Sequence, residues 1–382
     1  MQGEPMADFD MQRIGVVMEP QPGDDMEVEG VLNPASARGK DGQLYLFPRL
    51  VGRGNYSRIG IARVVFDSKG DPAGVERLGV ALEPEADYEK RPGGGGGCED
   101  PRITFVEALG HYVMTYTAFS ARGPRIAIAV SDDLMTWTRL GLASFRPYEG
   151  LAFDDIDDKD ASIFPVSIPD AHGRPAMAMI HRPLFPGTRP EETAEIRHAH
   201  SRRIDVDRES IWISYCRMGW EKGPDHLDTF GAHHRLASPV EKWEALKIGG
   251  GAPPILTRHG WLLIYHGVHK IAEQGADQDK FCYSAGVMML AATQPSFICY
   301  RAPQPVLVPS SDKERHGVVD NVVFPTAIDR RDDLGQPDRL DVYYGMADRS
   351  IGVARLTVPQ TLELRSIADP PAHSEGGPHT KS

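Results

Sequence analysis

Hydrophobic residues along this chain fall in short runs of about five to eight positions, which glycine, proline and aspartate turns separate. The runs 126–130 (Ile-Ala-Ile-Ala-Val) and 261–266 (Trp-Leu-Leu-Ile-Tyr-His) have the length and the β-branched or aromatic composition of strands. No stretch of about twelve residues keeps the 3.6-residue period of an amphipathic helix. The pattern therefore predicts an all-β chain built from many short strands.

A repeated arrangement organises these strands. In each copy a strand start marked by a carboxylate, an asparagine or a proline leads into a hairpin, and the copies begin near residues 33, 99, 158, 252 and 320. Each interval is long enough for a four-stranded antiparallel unit with its loops. The repeats predict a five-bladed β-propeller, a closed ring that leaves only short protected edges. A β-sandwich with accidental internal similarity is the alternative.

The repeats place the propeller domain at residues 31–358. Residues 1–30 are acidic and interrupted by proline and glycine, so we interpret them as an N-terminal extension. Residues 359–382 end in a polar segment after Pro370-Pro371, which is typical of a C-terminal tail. The segment 183–208 is rich in proline, glutamate, histidine and arginine, and it lengthens the third repeat as an insertion loop.

Charge and composition narrow the classes of partner. The 382 residues carry a net charge of −12 without a stripe of lysine and arginine, which argues against a nucleic-acid partner. No apolar run approaches the ~18 residues of a membrane-spanning helix, and the acidic N-terminus lacks a secretory signal. We therefore expect a cytoplasmic protein with no membrane partner. The four cysteines lack zinc-like spacing, and His198, His200, His233 and His234 lack nearby ligand partners, so the sequence predicts no metal site.

Polar residues concentrate at the repeat starts, which in a propeller surround the mouth of a central channel. They comprise Asn33, the motif Glu99-Asp100-Pro101-Arg102, the run 157–160 (Asp-Asp-Lys-Asp) and Asp320-Asn321. Burying so many charges is costly unless they pair with one another or bind a ligand. We interpret the set as a funnel for a polar ligand. Salt bridges between blades and turn-capping aspartates are the alternative.

Two clusters in this set suggest chemistry. The carboxyl groups of Glu99 and Asp100 form a pair at a strand entrance, where a carboxyl with a raised pKa can serve as a general acid. The second cluster is cationic and comprises Lys159, Arg182 and Lys247, with His181 and His266. Arginine as a bidentate donor and lysine as a point charge suit an oxyanion such as phosphate. Pairing of these bases with the surrounding aspartates is the alternative.

A series of short motifs runs through residues 30–357. They are Asn33-Pro34, Phe47-Pro48-Arg49, Ser57-Arg58-Ile59-Gly60, Glu99-Asp100-Pro101-Arg102, Phe164-Pro165, His181-Arg182-Pro183, Gly251-Ala252-Pro253-Pro254, Tyr265-His266-Gly267, the run 321–325 and the run 343–348. Their combination and order resemble glycoside hydrolase family 130, the β-mannoside phosphorylases and related β-mannosidases. The set is specific, whereas any one motif alone is not.

The resemblance implies a five-bladed β-propeller and an inverting β-mannoside phosphorylase. Such an enzyme cleaves β-1,2- or β-1,4-linked manno-oligosaccharides, or mannosyl-glucose, with phosphate and releases α-mannose 1-phosphate. The resemblance implies that Asp100 protonates the glycosidic oxygen through a mannose hydroxyl while phosphate attacks C1 from the opposite face. Inorganic phosphate is then a co-substrate, and no cofactor is expected.

The resemblance also implies binding roles. The expected substrate-binding residues are Asn33, Arg49, Arg58, Glu99, Asp160 and Asp320. The expected phosphate-binding residues are Lys159, His181, Arg182, Lys247 and His266. Two other functions stay open: a β-mannosidase in which water replaces phosphate, and a non-catalytic carbohydrate-binding propeller. The linkage, the acceptor sugar and the formation of a homo-oligomer stay open as well.

Overall fold

The computed structural model describes residues 8–149, 153–170, 172–186, 188, 208–217, 219–271 and 280–368. These residues form an all-β fold, as the hydrophobic pattern predicts, with a single four-residue α-helix, α1 (Asp312–Arg315), in the described part of the chain. No helix among them is long and apolar enough to cross a membrane. The first strand is β1 (Met11–Met18).

The other strands form five units in chain order within the described residues, and their pairs are antiparallel except for one short parallel pair in the third unit. The first unit contains β2 (Gly30–Arg38), β3 (Leu44–Gly52), β4 (Tyr56–Phe66) and β5 (Pro72–Leu82). The second contains β6 (Gly96–Val106), β7 (His111–Ser120), β8 (Gly123–Ser131) and β9 (Thr138–Leu142). The third contains β10 (Ser144–Phe145), β11 (Asp158–Ile163), β12 (Ile168–Pro169), β13 (Pro175–Pro183), β14 (Ile211–Cys216) and β15 (Thr229–Ala237).

The remaining two units are built in the same way. The fourth contains β16 (Lys247–Gly250), β17 (Ile255–Thr257), β18 (Gly260–Ile271), β19 (Lys280–Leu290) and β20 (Ile298–Arg301). The fifth contains β21 (Val323–Arg330), β22 (Arg339–Met346) and β23 (Ser350–Thr357). A short parallel contact, Tyr56 with Gly96 and Ser57 with Gly97, joins the first two units into one sheet.

The N-terminal strand completes the fifth unit. β1 pairs antiparallel with β23, from Met11 opposite Leu356 to Met18 opposite Ile351. Interpreting all of residues 1–30 as an extension was therefore wrong for β1, because this segment supplies the outer strand of the last unit and buries Met11, Val17 and Met18. The interpreted C-terminal tail is likewise partly ordered, since the Ile367 N–H donates to the Ile298 carbonyl at 2.9 Å.

Five hydrophobic clusters fill the spaces between neighbouring units, within the residues described. The cluster that joins the fifth unit to the first contains Val31, Leu46, Tyr343 and Val353, all of them fully buried. Burial of an aliphatic side chain such as Val31 or Leu46 contributes about 1.5–3 kcal/mol relative to leaving it exposed. Every unit therefore packs on the next along the chain, and the last packs on the first.

First strands of neighbouring units lie in contact, and those of the first three units share a β-bulge that contains a residue with a positive φ angle. The strand register shifts between Leu32 and Ala35, between Glu99 and Arg102, and between Lys159 and Ser162. Within these bulges Asn33, Asp100 and Asp160 have φ angles of 42°, 46° and 57°. Asparagine and aspartate tolerate this left-handed region better than other side-chain-bearing residues. A bulge re-aims its side chain, so each of these three units presents a polar group next to the neighbouring first strands.

Candidate active site

The Asp100 carboxylate lies at the centre of a group that we call the acid group, defined as Asn33, Arg49, Glu99, Asp100 and Asp348. Asn33 Nδ2 and Arg49 Nη1 both donate to Asp100 Oδ1, at 3.0 and 3.3 Å. Arg49 Nη2 also donates to Glu99 Oε1 at 2.9 Å, and its Nε donates to the Ser57 hydroxyl at 2.9 Å. The hydrogen bonds among the described residues use only Oδ1 of Asp100, which leaves Oδ2 accessible to a substrate.

Burial and mutual repulsion keep protons on this group. Burial raises the pKa of Asp348 to about 6; Arg49 opposes the rise, and the nearby Asp100 and Glu99 add to it. Burial also raises the pKa of Glu99, although Arg49 and Lys159 favour its charged form. Three carboxyl groups around one guanidinium cannot all ionise cheaply. The acid group can therefore hold a proton in mildly acidic solution and supply one to a bound ligand.

Arg102 ties the bulge of the second unit to the fourth unit. Its Nε donates to the Gly251 carbonyl at 2.5 Å, and its Nη1 donates to the Asp100 carbonyl at 2.9 Å. The side chain is buried, and burial lowers its pKa, whereas Asp100 and Asp160 favour the charged form. Its contacts hold the backbone of Asp100 in place, so Arg102 positions the carboxylate.

A second group, which we call the base group, consists of Lys159, Asp160, Arg182, Glu209, Lys247 and His266. Arg182 Nε donates to Asp160 Oδ2 at 2.6 Å, and its Nη1 pairs with Glu209. Lys159 lies opposite Arg182 in the β11–β13 register. The structure brings together the cations expected at a phosphate site, but it also places two buried carboxylates against Arg182.

The two lysines lie against aromatic rings. Lys159 Nζ lies 5.5 Å from the centroid of the Phe119 ring, and Lys247 Nζ lies 5.7 Å from that of Tyr283. A cation over such a ring is stabilised without an anionic partner. In this arrangement both ammonium groups are held in place and can still donate to an anion.

His266 is a neutral member of the base group. Burial lowers its pKa to about 3, although the Asp160 carboxylate 3.8 Å from Nε2 favours the charged ring. Its Nδ1 is buried and has no hydrogen-bond partner among the described residues. A Cβ on Gly249 would lie 2.2 Å from Asp160 Oδ2 and 2.4 Å from His266 Cε1, so only glycine allows this close packing.

His181 belongs to a separate buried chain of hydrogen bonds. At one end His233 Nε2 donates to the Arg146 carbonyl at 2.8 Å, and burial lowers the pKa of His233 to about 4, so its ring is neutral. Its Nδ1 must then accept from the Ser214 hydroxyl at 2.7 Å, and Ser214 accepts from His181 Nε2 at 2.6 Å. His181 Nδ1 and Asp158 Oδ2, 2.6 Å apart, share one further proton.

This chain removes His181 from the expected phosphate-binding set. Both of its ring nitrogens are engaged, and the fully buried ring stacks on Phe145 with centroids 5.0 Å apart. A histidine whose two ring nitrogens are both hydrogen-bonded has no donor left for an anion. The structure instead makes His181 a support for the strand that carries Arg182.

Two expected sugar contacts make no hydrogen bond to the acid group among the described residues; their partners are Glu83 for Arg58 and the Gly317 N–H for Asp320. Arg58 donates to Glu83 through Nε at 2.9 Å, and it follows Ser57, whose hydroxyl faces Arg49. Successive residues of a strand point to opposite faces, so Arg58 points away from Arg49. Asp320 is exposed in a loop that reaches the carbonyl of Ala347, next to Asp348, and it accepts from the Gly317 N–H at 3.3 Å.

The structure adds two residues to which the sequence assigned no binding or catalytic role. Asp348 ends a recognised motif, and its φ of 52° and its high pKa mark it as part of the site. Glu209 is buried beside Arg182, but it lies at the edge of the predicted insertion, most of which (189–207) lies outside the described residues. Within the described residues, no three His, Cys, Asp or Glu side chains are grouped so that they could hold a metal ion.

The acid and base groups meet at Lys159. This lysine adjoins Asp160 in β11, and its charge favours the ionised forms of Glu99 and Asp348 in the acid group. The site can thus place a proton donor on one side of a bound molecule and an anion on the other. This arrangement suits proton-assisted cleavage of a polar bond with an anionic nucleophile.

Comparisons with known proteins agree with this geometry. Residues 12–366 match the family model described as beta-1,4-mannooligosaccharide phosphorylase. A 1,2-beta-oligomannan phosphorylase from Thermoanaerobacter sp. (strain X514) is 30% identical over 347 residues, which cover 89% of this chain and 94% of the relative. A beta-1,2-mannobiose phosphorylase from the same organism is 31% identical over 68% of this chain and 66% of its own length.

A solved structure has the same fold. The beta-1,2-mannobiose phosphorylase from Listeria innocua, in complex with beta-1,2-mannobiose, superposes with a TM-score of 0.65 over 91% of this chain and 97% of that one, at 21% identity. The family match spans nearly all of the described strands and both residue groups of the site. The chain therefore belongs to glycoside hydrolase family 130.

Proposed function

We propose that this chain is a five-bladed β-propeller that acts as an inverting β-mannoside phosphorylase. The five units and the five clusters between them support the propeller. The names of the relatives support phosphorolysis of β-mannosides. One observation carries the proposal: Lys159 of the base group lies close enough to the acid group for its charge to act on Glu99 and Asp348, whose pKa values burial raises.

In the proposed reaction, Asp100 supplies the proton and phosphate supplies the nucleophile. The bond between C1 of the mannosyl unit and the leaving oxygen breaks, and that oxygen takes the proton, relayed through a mannose hydroxyl. A phosphate oxygen bonds to C1 from the opposite face, which gives α-mannose 1-phosphate and inverts the configuration. An inverting reaction needs room for its nucleophile between the two catalytic sides, and the separate acid and base groups are consistent with that need.

The residues have distinct roles in this proposal. Asn33 and Arg49 orient Asp100 and contact the mannosyl unit, and Glu99 and Asp348 keep the acid group protonated. Lys159, Arg182 and Lys247 bind phosphate, with His266 as a neutral partner. Asp160 holds Arg182 by its Nε, so we place it in support of the phosphate site.

The direct test is incubation with β-1,2- and β-1,4-mannobiose, with and without inorganic phosphate. The proposal predicts α-mannose 1-phosphate that forms only when phosphate is present. Proton NMR of the first product identifies its anomeric configuration. Free mannose released at equal rates in both conditions would contradict phosphorolysis.

Hydrolysis is the second candidate, and Glu209 is the observation that favours it. This carboxylate is buried against Arg182 within the base group, where a carboxylate could activate a water molecule. The cations of Lys159 and Lys247 beside it favour phosphate instead. Strict dependence of mannobiose cleavage on phosphate would exclude hydrolysis as the main activity.

A further inference from the structure

Glu209 places a carboxylate inside the base group. Its side chain is only 3% exposed, and its Oε2 pairs with Arg182 Nη1. Its backbone carbonyl accepts from the Ile248 N–H at 3.1 Å, and its backbone forms a parallel β-bridge with Lys247. Glu209 therefore lies between Arg182 and Lys247, two of the three cations that the proposed function assigns to phosphate.

Both members of the ion pair keep an atom for a ligand. The hydrogen bonds among the described residues engage Glu209 through Oε2, and they engage Arg182 through Nη1 and through Nε, which donates to Asp160. They leave Glu209 Oε1 and Arg182 Nη2 without a partner in this part of the chain. Since Nη1 and Nη2 belong to one planar guanidinium, an anion that accepts from Nη2 lies near the Glu209 carboxylate.

Charge alone does not explain this carboxylate. The base group contains three cationic side chains and two carboxylates, namely Lys159, Arg182, Lys247, Asp160 and Glu209. Burial opposes the ionisation of Asp160, but the nearby Arg182 holds its pKa below the usual range. His266 adds no charge, because burial lowers its pKa to about 3. A site that bound its anion by charge alone would be weakened by a second carboxylate.

A carboxylate beside an oxyanion needs a proton between the two. An ionised carboxylate is an acceptor only, so it repels an oxygen that carries no hydrogen and binds a hydroxyl that can donate. At neutral pH inorganic phosphate and arsenate keep at least one hydroxyl, whereas sulfate keeps none. Glu209 Oε1 can thus accept from a P–OH group while Arg182 Nη2 and Lys247 donate to the other phosphate oxygens.

We propose that Glu209 selects a protonated oxyanion, phosphate or arsenate, and excludes sulfate. This inference rests on the proposed function, because it assigns a specificity-determining residue to the phosphate site. Glu209 takes no proton in the reaction. The P–OH proton stays on the phosphoryl group of α-mannose 1-phosphate, and a different phosphate oxygen attacks C1.

The first test is calorimetric titration of the free enzyme with phosphate, arsenate and sulfate, at neutral pH and constant ionic strength. The wild type should bind phosphate and arsenate roughly tenfold more tightly than sulfate, which is the effect of one hydrogen bond to a charged group. Equal affinities for phosphate and sulfate in the wild type would overturn the inference without any variant.

Glu209→Gln is the second test. Its amide oxygen can still accept from Arg182, while its NH₂ group offers a donor in place of the unused acceptor. The dissociation constant for phosphate should rise roughly tenfold, and that for sulfate should fall. In mannobiose phosphorolysis the KM for phosphate should rise and the inhibition constant of sulfate should fall. Glu221→Gln, at an exposed glutamate between β14 and β15, is the control.

A role for Glu209 that is limited to holding Arg182 predicts a different result. Glu209→Gln would then weaken the binding of phosphate and sulfate together, and this outcome would overturn the inference. Loss of a phosphate-independent release of mannose in the variant would assign Glu209 to water activation and overturn it as well. If the wild type phosphorolyses no mannobiose, the proposed function fails, whereas a calorimetric preference for phosphate over sulfate that Glu209→Gln removes still supports the selectivity.

Discussion

Replacement of Asp100 by asparagine tests the acid role with the least structural change. In the structure, Asn33 Nδ2 and Arg49 Nη1 both donate to one oxygen of this carboxylate. The amide oxygen of asparagine can accept both hydrogen bonds, so the geometry of the site should persist. What the variant loses is the transferable proton. We therefore expect a large fall in kcat with little change in the free energy of unfolding.

The expected size of the fall follows from general acid catalysis. Such a group typically contributes 10²- to 10⁴-fold, which corresponds to about 2.7–5.5 kcal/mol of activation free energy. Asp100→Ala provides the structural contrast, because it leaves the donors of Asn33 and Arg49 without their acceptor. Each unsatisfied buried donor costs about 1–3 kcal/mol, so the alanine variant should also lose stability.

The assay measures initial rates of mannose 1-phosphate formation from mannobiose and from an aryl β-mannoside with a good leaving group. An activated leaving group needs little protonation, so Asp100→Asn should lose much less activity on the aryl substrate. Asp25→Asn, at a highly exposed surface carboxylate, serves as the matched control. Equal losses on both substrates, or unchanged mannobiose turnover, would refute the assignment of Asp100 as the acid.

Three further predictions test the surroundings of the site. Gly249→Ala should raise the KM for phosphate and cost about 1–3 kcal/mol of stability through overpacking, because its Cβ would lie 2.2 Å from Asp160 Oδ2. Phosphate kinetics and urea unfolding measure the two effects. Gly15→Ala is the control, because a Cβ there would have nothing within 4 Å. Ser214→Ala removes the hydroxyl between His181 and His233, so it should lower the unfolding free energy by about 1–3 kcal/mol. The KM for phosphate should stay unchanged, because His181 lies outside the phosphate site. A raised KM would show that His181 does contribute to phosphate binding. The pKa of Asp348 is about 6 in the folded state, whereas its ordinary value is 3.8. Between these two pH values the folded state binds more protons than the unfolded state. The unfolding free energy should therefore fall as the pH rises from about 4 to about 6. Asp348→Asn should flatten that fall in urea titrations at several pH values, and an unchanged slope would contradict the high pKa.

The strand starts could be predicted from the sequence because their signals are local. Glycine turns and short apolar runs mark each hairpin, so the repeat places Asn33, Asp100 and Asp160 at equivalent positions, and the structure finds all three in bulges. The convergence of Lys159 and Arg182 follows from the same logic, since they lie opposite one another in a hairpin. The local pattern therefore predicts a contact where both residues belong to the same hairpin.

The parts that could not be predicted depend on long-range partners. β1 pairs with β23, and nothing in the run 11–18 indicates which edge it joins. His181 and Arg182 are adjacent in one motif, but the strand sends them to opposite faces, and only the positions of Ser214 and His233 show that His181 is used in the core. Glu209 lies 27 residues from Arg182, so no motif connects them.

The three bulge residues also differ in what offsets the strain of their left-handed backbone. A side-chain-bearing residue in the left-handed region typically costs about 1–3 kcal/mol, and glycine would avoid that cost. At residue 160 the carboxylate offsets it, because its buried side chain, 3% exposed, holds Arg182. At residue 33 the amide offsets it by donating to Asp100. The Asp100 side chain is 16% exposed, and its two donors, Asn33 and Arg49, use only Oδ1, which leaves Oδ2 to a ligand. The strain at Asp100 is therefore best explained by use on a ligand, which is independent physical support for placing the acid there.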